Sequence, residues 1–167
     1  MITLRRFIIV LATLPLLLGG GIMAASTAQA AIATCTSWTT YYETYSNSWV
    51  EHVPTTGYQS NNRTCQLKQG NNNAAVKVLQ RALNWCWGAS LTVDGDYGPA
   101  TKAQVLALQK QKNGDFNAGL QEDGEFGPAT RQWLQMPMWS WPDNQPAWTS
   151  TAHNDVICEW PNYNKPI

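Results

Sequence analysis

His52 and His153 are the only histidines in the chain. A zinc centre with three protein ligands would need both, plus a carboxylate such as Asp155. The run His153-Asn154-Asp155 has ligand-type residues close together, and a solvated loop explains it equally well. Glu51 and Asp143 are carboxylates of the kind that cleave glycosides in pairs, but nothing in their placement singles them out. The sequence holds no G-x-S-x-G elbow, the turn that exposes a catalytic serine. The chain is therefore expected to be no enzyme, with no metal and no cofactor.

The cysteines point to a compartment rather than a reaction. Cys35, Cys65, Cys86 and Cys158 are even in number and include no C-x-x-C pair. Their spacing suits no structural zinc module, so two disulfides are expected. Four cysteines allow three pairings. Cys35–Cys65 with Cys86–Cys158 would staple the two flanking segments separately, each bridge adding on the order of 3 kcal/mol. Nine tryptophans stand out in 167 residues. Some must be core, but a surface that stacks on sugars or peptides would also need them.

Arg5 and Arg6 precede an apolar run from Phe7 to Leu18, and small residues lead to Ala28-Gln29-Ala30. This order is that of a secretory signal peptide cleaved after Ala30. The run is shorter than the roughly 20 apolar residues of a membrane span. Without Arg5 and Arg6, 9 of the 11 basic residues face 11 acidic ones, a net charge of −2. Such a chain has no pull toward phosphate polymers, so nucleic acid is not an expected partner. A secreted or wall-associated monomer, free of the membrane after cleavage, is.

The middle of the chain is a duplication. Val76-Lys77-Val78-Leu79-Gln80 recurs as Val105-Leu106-Ala107-Leu108-Gln109, and Asp94-Gly95-Asp96-Tyr97-Gly98-Pro99-Ala100-Thr101 recurs as Asp123-Gly124-Glu125-Phe126-Gly127-Pro128-Ala129-Thr130, both at an offset of 29 residues. Two motifs returning at one offset mark an internal repeat. Between Asn73 and Trp87, the residues Val76, Leu79, Leu83 and Cys86 step by three and four and form the apolar stripe of a helix. Lys77, Arg81 and Asn84 lie opposite, and Trp85 projects away from the stripe. Each Asp-Gly motif is a turn that opens a helix, with Pro99 and Pro128 at the first helical position and Gly98 and Gly127 as N-caps. Tyr97 and Phe126 would each drop a ring into the core. Leu134 repeats Val105 and could start a third helix, which Pro137 would soon stop.

The stretch from Leu67 to about Leu134 resembles the peptidoglycan-binding-like domain family, a three-helix module of bacterial wall hydrolases. The resemblance rests on Gly70, Val76, Leu79, Gln80, Leu83, Asp94, Gly95, Tyr97, Gly98 and Thr101. It continues through Val105, Leu108, Gln109, Gly119, Leu120, Asp123, Gly124, Phe126, Gly127 and Thr130. Between Gln109 and Asp123 the chain is about six residues longer than the family's pattern, which extends the second helix or its following loop. The resemblance implies a fold and a wall-polymer ligand. Its signature residues, including Asp94, Gly95, Gly98, Asp123, Gly124 and Gly127, are turn and core chemistry, so ligand contacts must be sought among exposed aromatics. Trp85, Trp87, Trp139 and Trp141 are the candidates.

The flanks complete the picture. Residues 31–66 are rich in Thr, Ser and aromatics, which favours short strands or an irregular arm. Residues 137–167 are rich in Pro and Trp and read as an extended tail held by Cys158. Trp139 and Trp141 would face the same way on an extended chain, as a stacking platform or as an apolar lid over a small core; we favour the lid. The expected architecture is mainly α: a small three-helix peptidoglycan-binding-like bundle over residues 67–136, with irregular, disulfide-stapled extensions on either side. The expected function is non-catalytic binding of peptidoglycan or a related wall glycan. A small wall hydrolase with catalytic flanks and a protein–protein interaction module are the alternatives.

Overall fold

The computed structural model describes residues 31–42, 49–140 and 157–160. The signal-peptide assignment to residues 1–30 lies outside them, as do Trp141, Asp143, His153 and Asp155. Strands β1 (Ala33–Thr34), β2 (Ser37–Tyr42), β3 (Trp49–Thr55) and β4 (Cys65–Gln66) come first. Helices α1 (Ala74–Trp87), α2 (Pro99–Phe116) and α3 (Pro128–Arg131) follow, then β5 (Met136–Ser140) and β6 (Ile157–Glu159).

The described parts of the flanks form strands rather than irregular extensions, and the fold is not a mainly α bundle. β2, β3, β5 and β6 form a four-stranded antiparallel sheet in that order, and β1 pairs with β4 in a small parallel sheet. The β-branched and aromatic residues of the two flanks fit a pleated surface. The partner of each strand is set by distant residues: Val50 lies opposite Trp139 and Glu51 opposite Met138. Local periodicity carries no signal for such a pairing. Pro54 and Pro137 sit within β3 and β5, opposite Trp38 and Cys158.

The helices follow from their caps. The Asn73 side chain accepts a hydrogen bond from the Val76 amide at 3.2 Å and starts α1, while Pro99 and Pro128 open α2 and α3 behind Gly98 and Gly127. Gly88 and Asn117, 29 residues apart, both end their helices in the left-handed conformation. No helix starts at Leu134. α3 stops at Arg131, the chain turns through Gln132 and Trp133, Leu134 enters the core, and the chain from Met136 is committed to the sheet.

The core joins both halves. Val76, Leu79, Leu83, Val105, Leu108 and Phe126 meet Leu67, Leu134, Met136 and the Cys35–Cys65 bridge. α1 packs against α2 on one side and against β2, β3 and β5 on the other. That second partner explains why Ala75, Val78 and Ala82 are buried beside the expected stripe. A second bridge, Cys86–Cys158, ties β6 to the end of α1.

Candidate functional site

The two repeated turns are built alike. The Gln80 amide donates to Asp94 Oδ1 at 2.8 Å and to the Asp96 carbonyl at 3.0 Å, and its oxygen accepts from the Gly95 amide at 2.9 Å. Gln109 does the same with Asp123, Glu125 and Gly124 at 3.0, 3.0 and 2.8 Å. Both reach the Thr hydroxyl that follows, Thr101 or Thr130. The bond from Gln80, helped by the Asp96 amide, holds the Asp94 carboxyl below its ordinary range. Asp94 and Asp123 are thus turn-forming acids. Gly95 has φ +88°, and a Cβ there would meet the Lys77 side chain and the Asn73 carbonyl at 3.0 Å. The buried Tyr97 hydroxyl donates to the Gly124 carbonyl at 2.8 Å and locks one turn to the other.

A further pair completes each repeat. The Asn84 side-chain nitrogen donates to the Leu91 carbonyl and its oxygen accepts from the Leu91 amide, at 2.7–2.8 Å, and Asn113 clasps Leu120 in the same way at 2.8–2.9 Å. From the sequence Asn84 belongs to the polar face of its helix; Asn at both positions of the 29-residue offset is the signal for the clasp.

What the repeats do not share lies on one line of α1. Lys77, Arg81 and Trp85 are spaced by four residues and lie along one helix face; their repeat counterparts are Leu106, Lys110 and Gly114. A cleft of about 350 Å³ opens beside Lys77 and Arg81. Trp38 and His52 of the sheet form one wall, Ala74, Lys77, Val78 and Arg81 the other, and Val93 contributes from the loop before the first turn. His52 is buried, and its Nδ1 has no hydrogen-bond partner among the described residues. Burial, reinforced by the positive charge of Arg81, lowers its pKa to about 4, so the imidazole is neutral at pH 7.

The three described candidate tryptophans, Trp85, Trp87 and Trp139, do not converge. Trp85 is 54% exposed, as a stacking residue must be. Trp87 packs partly against the core, with the Lys112 ammonium 5.5 Å from its ring. Trp139 is only 6% exposed and lies 5.6 Å from the His52 ring, within the packed sheet. Two further aromatic features lie at the surface. Trp160 is 52% exposed and follows Cys158 by two residues, so the Cys86–Cys158 bridge, with Cα atoms 5.6 Å apart, brings its stretch of chain to that of Trp85. Phe116 is exposed and stacks on Trp133 at 5.6 Å, under Lys112.

The opposite side of the sheet is closed, with Glu51 among Tyr41, Val53 and Met138. Glu51 is 5% exposed, and its Oε1 has no hydrogen-bond partner among the described residues. Burial raises its pKa to about 8 despite the nearby Arg63. Arg63 lies 4.5 Å over the Tyr41 ring, and the Arg131 guanidinium bonds the Arg63 carbonyl and approaches both sulfurs of Cys35–Cys65 at 3.4 and 3.6 Å. Among the described residues no cluster of His, Cys, Asp and Glu could hold a metal ion, and no helix is long and apolar enough to cross a membrane.

Residues 72–134 match the model of a family described as a putative peptidoglycan binding domain. That segment runs from just before α1 through α3 to Leu134, and leaves the four-stranded sheet outside it. No curated protein and no solved structure matches the chain.

Proposed function

We propose that the protein is a secreted, non-catalytic monomer that holds peptidoglycan through the exposed side of α1. The observation that carries this reading is Trp85: it lies on the first helix of the matched segment, is 54% exposed, and shares a helix line with Lys77 and Arg81. A broad ring beside two cations suits a polymer of sugars and carboxylate-bearing peptides. The basic, apolar and small-residue order of residues 1–30 and the two disulfides support export. Non-catalytic binding is supported by Glu51, the carboxyl with the pKa of a general acid, which is enclosed and is not among the residues of the cleft.

The test is sedimentation of the oxidised protein with purified insoluble peptidoglycan, with chitin and cellulose as controls. Pelleting with peptidoglycan alone is expected. Labelled wall material incubated overnight should release no soluble label. Equal pelleting with all three polymers would refute recognition of the wall, and release of label would refute the non-catalytic role.

A further inference from the structure

The cleft between α1 and the sheet is more specific than a stacking surface. We propose that it is a carboxylate subsite, which takes the free C-terminal carboxylate of a short peptide with a small aliphatic side chain. The proposal rests on the wall-binding reading and adds the chemical group that is gripped.

Lys77 and Arg81 stand one turn apart on the wall that α1 contributes, and among the described residues no acidic one lines the cleft. Arg81 is half-buried, and neither cation makes a salt bridge among the described residues. The Asp94 carboxylate, which feels the Lys77 charge, is already held by the Gln80 amide and the Asp96 backbone. The Lys77 stem is seated against Gly95, where any Cβ would displace it. Two positioned cations over apolar walls attract a carboxylate, and a guanidinium can hold both of its oxygens.

His52 points independently to a ligand. It is 8% exposed, it lines the cleft, and its Nδ1 has no hydrogen-bond partner among the described residues. A buried polar atom without a partner calls for an explanation. The atom is enclosed as it stands, so a ligand amide beside the carboxylate would supply one only with a shift of the ring toward the cleft. Val78, Val93 and Ala74 line the remainder, which suits a methyl-sized side chain better than a hydroxyl-rich sugar. At about 350 Å³ the cleft falls at the small end of ligand pockets, roughly 300–1,000 Å³, and fits the end of a peptide. The second repeat has Leu106, Lys110 and Glu122 where the first has Lys77, Arg81 and Val93, so the site exists once.

The full oxidised chain would be titrated with N-acetyl-alanyl-alanine of either hand, with its C-terminal amide, and with glucuronic acid as a sugar carboxylate. The free-acid peptide should bind at least tenfold more tightly than either of the others. Arg81→Gln should lose at least tenfold in peptide affinity, whereas Lys110→Gln, its counterpart in the second repeat, should lose nothing. Equal binding of acid and amide, preference for glucuronic acid, or an unaffected Arg81→Gln variant would each overturn the proposal. The acid–amide comparison on the unaltered chain decides even if Arg81→Gln fails to fold. Absent peptide binding with wall pelleting intact sinks the subsite alone; loss of pelleting as well sinks the wall-binding reading.

Discussion

Glu51 and His52 are neighbours in β3 that point to opposite faces of the sheet, and both are held in their neutral forms. Glu51 sits opposite Tyr41 and Met138, with Arg63 and Glu159 as its charged surroundings. His52 sits opposite Thr40 and between the rings of Trp38 and Trp139, with Arg81 beyond. Burial is the main cause in each case, raising the carboxyl to about 8 and lowering the imidazole to about 4. One strand therefore carries an acid and a base that both resist ionisation on folding.

Stability should respond to pH from both sides. Glu51 ionises near pH 4.5 in the unfolded chain but only near 8 in the fold, so its contribution is complete below 4.5 and is lost as pH rises to 8. His52 protonates near 6.5 unfolded but near 4 folded, so its contribution is complete above 6.5 and is lost as pH falls to 4. Each slope is about 1.4 kcal/mol per pH unit, and between 4.5 and 6.5 the two cancel. Urea unfolding should show a plateau there and a loss of about 2 kcal/mol from pH 6.5 to 8. Glu51→Gln should abolish the alkaline loss. An unchanged alkaline slope in that variant would assign it to another group.

The twin glutamines should cost alike. Gln80 and Gln109 are each 1% exposed and each satisfy a buried glycine amide and a turn carboxylate. Replacing either by Ala leaves the buried glycine amide unpaired, while the carboxylate keeps its backbone partner, at about 1–3 kcal/mol. The two sites share no hydrogen-bond partner, so the double variant should lose the sum to within about 0.5 kcal/mol. Denaturant midpoints check this, and a variant without measurable loss would remove these networks from the account of stability.

The part of the fold that was legible is the part that repeats itself. The 29-residue offset located both turns, the helix starts at Pro99 and Pro128 and the buried rings of Tyr97 and Phe126, because those roles need particular residues at fixed local spacing. The sheet was not legible as a sheet. Trp38, Val53 and Trp139 signal extended chain, but the partner of each strand depends on how the flanks return across the helices. The cleft was hidden for the same reason: Lys77 and Arg81 look like a solvated face until Trp38 and His52 are laid beside them.

The two disulfides should differ in reactivity. Cys35 and Cys65 are fully buried with Arg131 against their sulfurs, whereas Cys86 and Cys158 are half-buried near the exposed Trp160. Brief reduction of the folded protein followed by alkylation should label Cys86 and Cys158 first, read by peptide mass mapping. Each bridge closes a long loop, of sequence separation 30 and 72, and loop entropy assigns roughly 4 kcal/mol to each. Full reduction should therefore lower Tm strongly. Simultaneous labelling of all four cysteines would mean that global unfolding, not local access, controls the reaction.

Trp85 separates a binding residue from a structural one. Its ring is 54% exposed and stands apart from the Val76, Leu79 and Leu83 side of α1, all three of which are fully buried. Trp85→Ala should leave the thermal midpoint nearly unchanged while weakening peptidoglycan binding about tenfold, the loss of roughly 1–1.5 kcal/mol of aromatic contact. Phe126→Ala supplies the contrast. That ring is fully buried beneath the Arg131 guanidinium, and emptying its site should cost about 3–5 kcal/mol. If Trp85→Ala pellets as well as the unaltered protein, the sugar-facing surface belongs elsewhere. The exposed stack of Phe116 on Trp133, with Lys112 above it, is then the next surface to alter, because it is the other exposed aromatic site of the helical repeat.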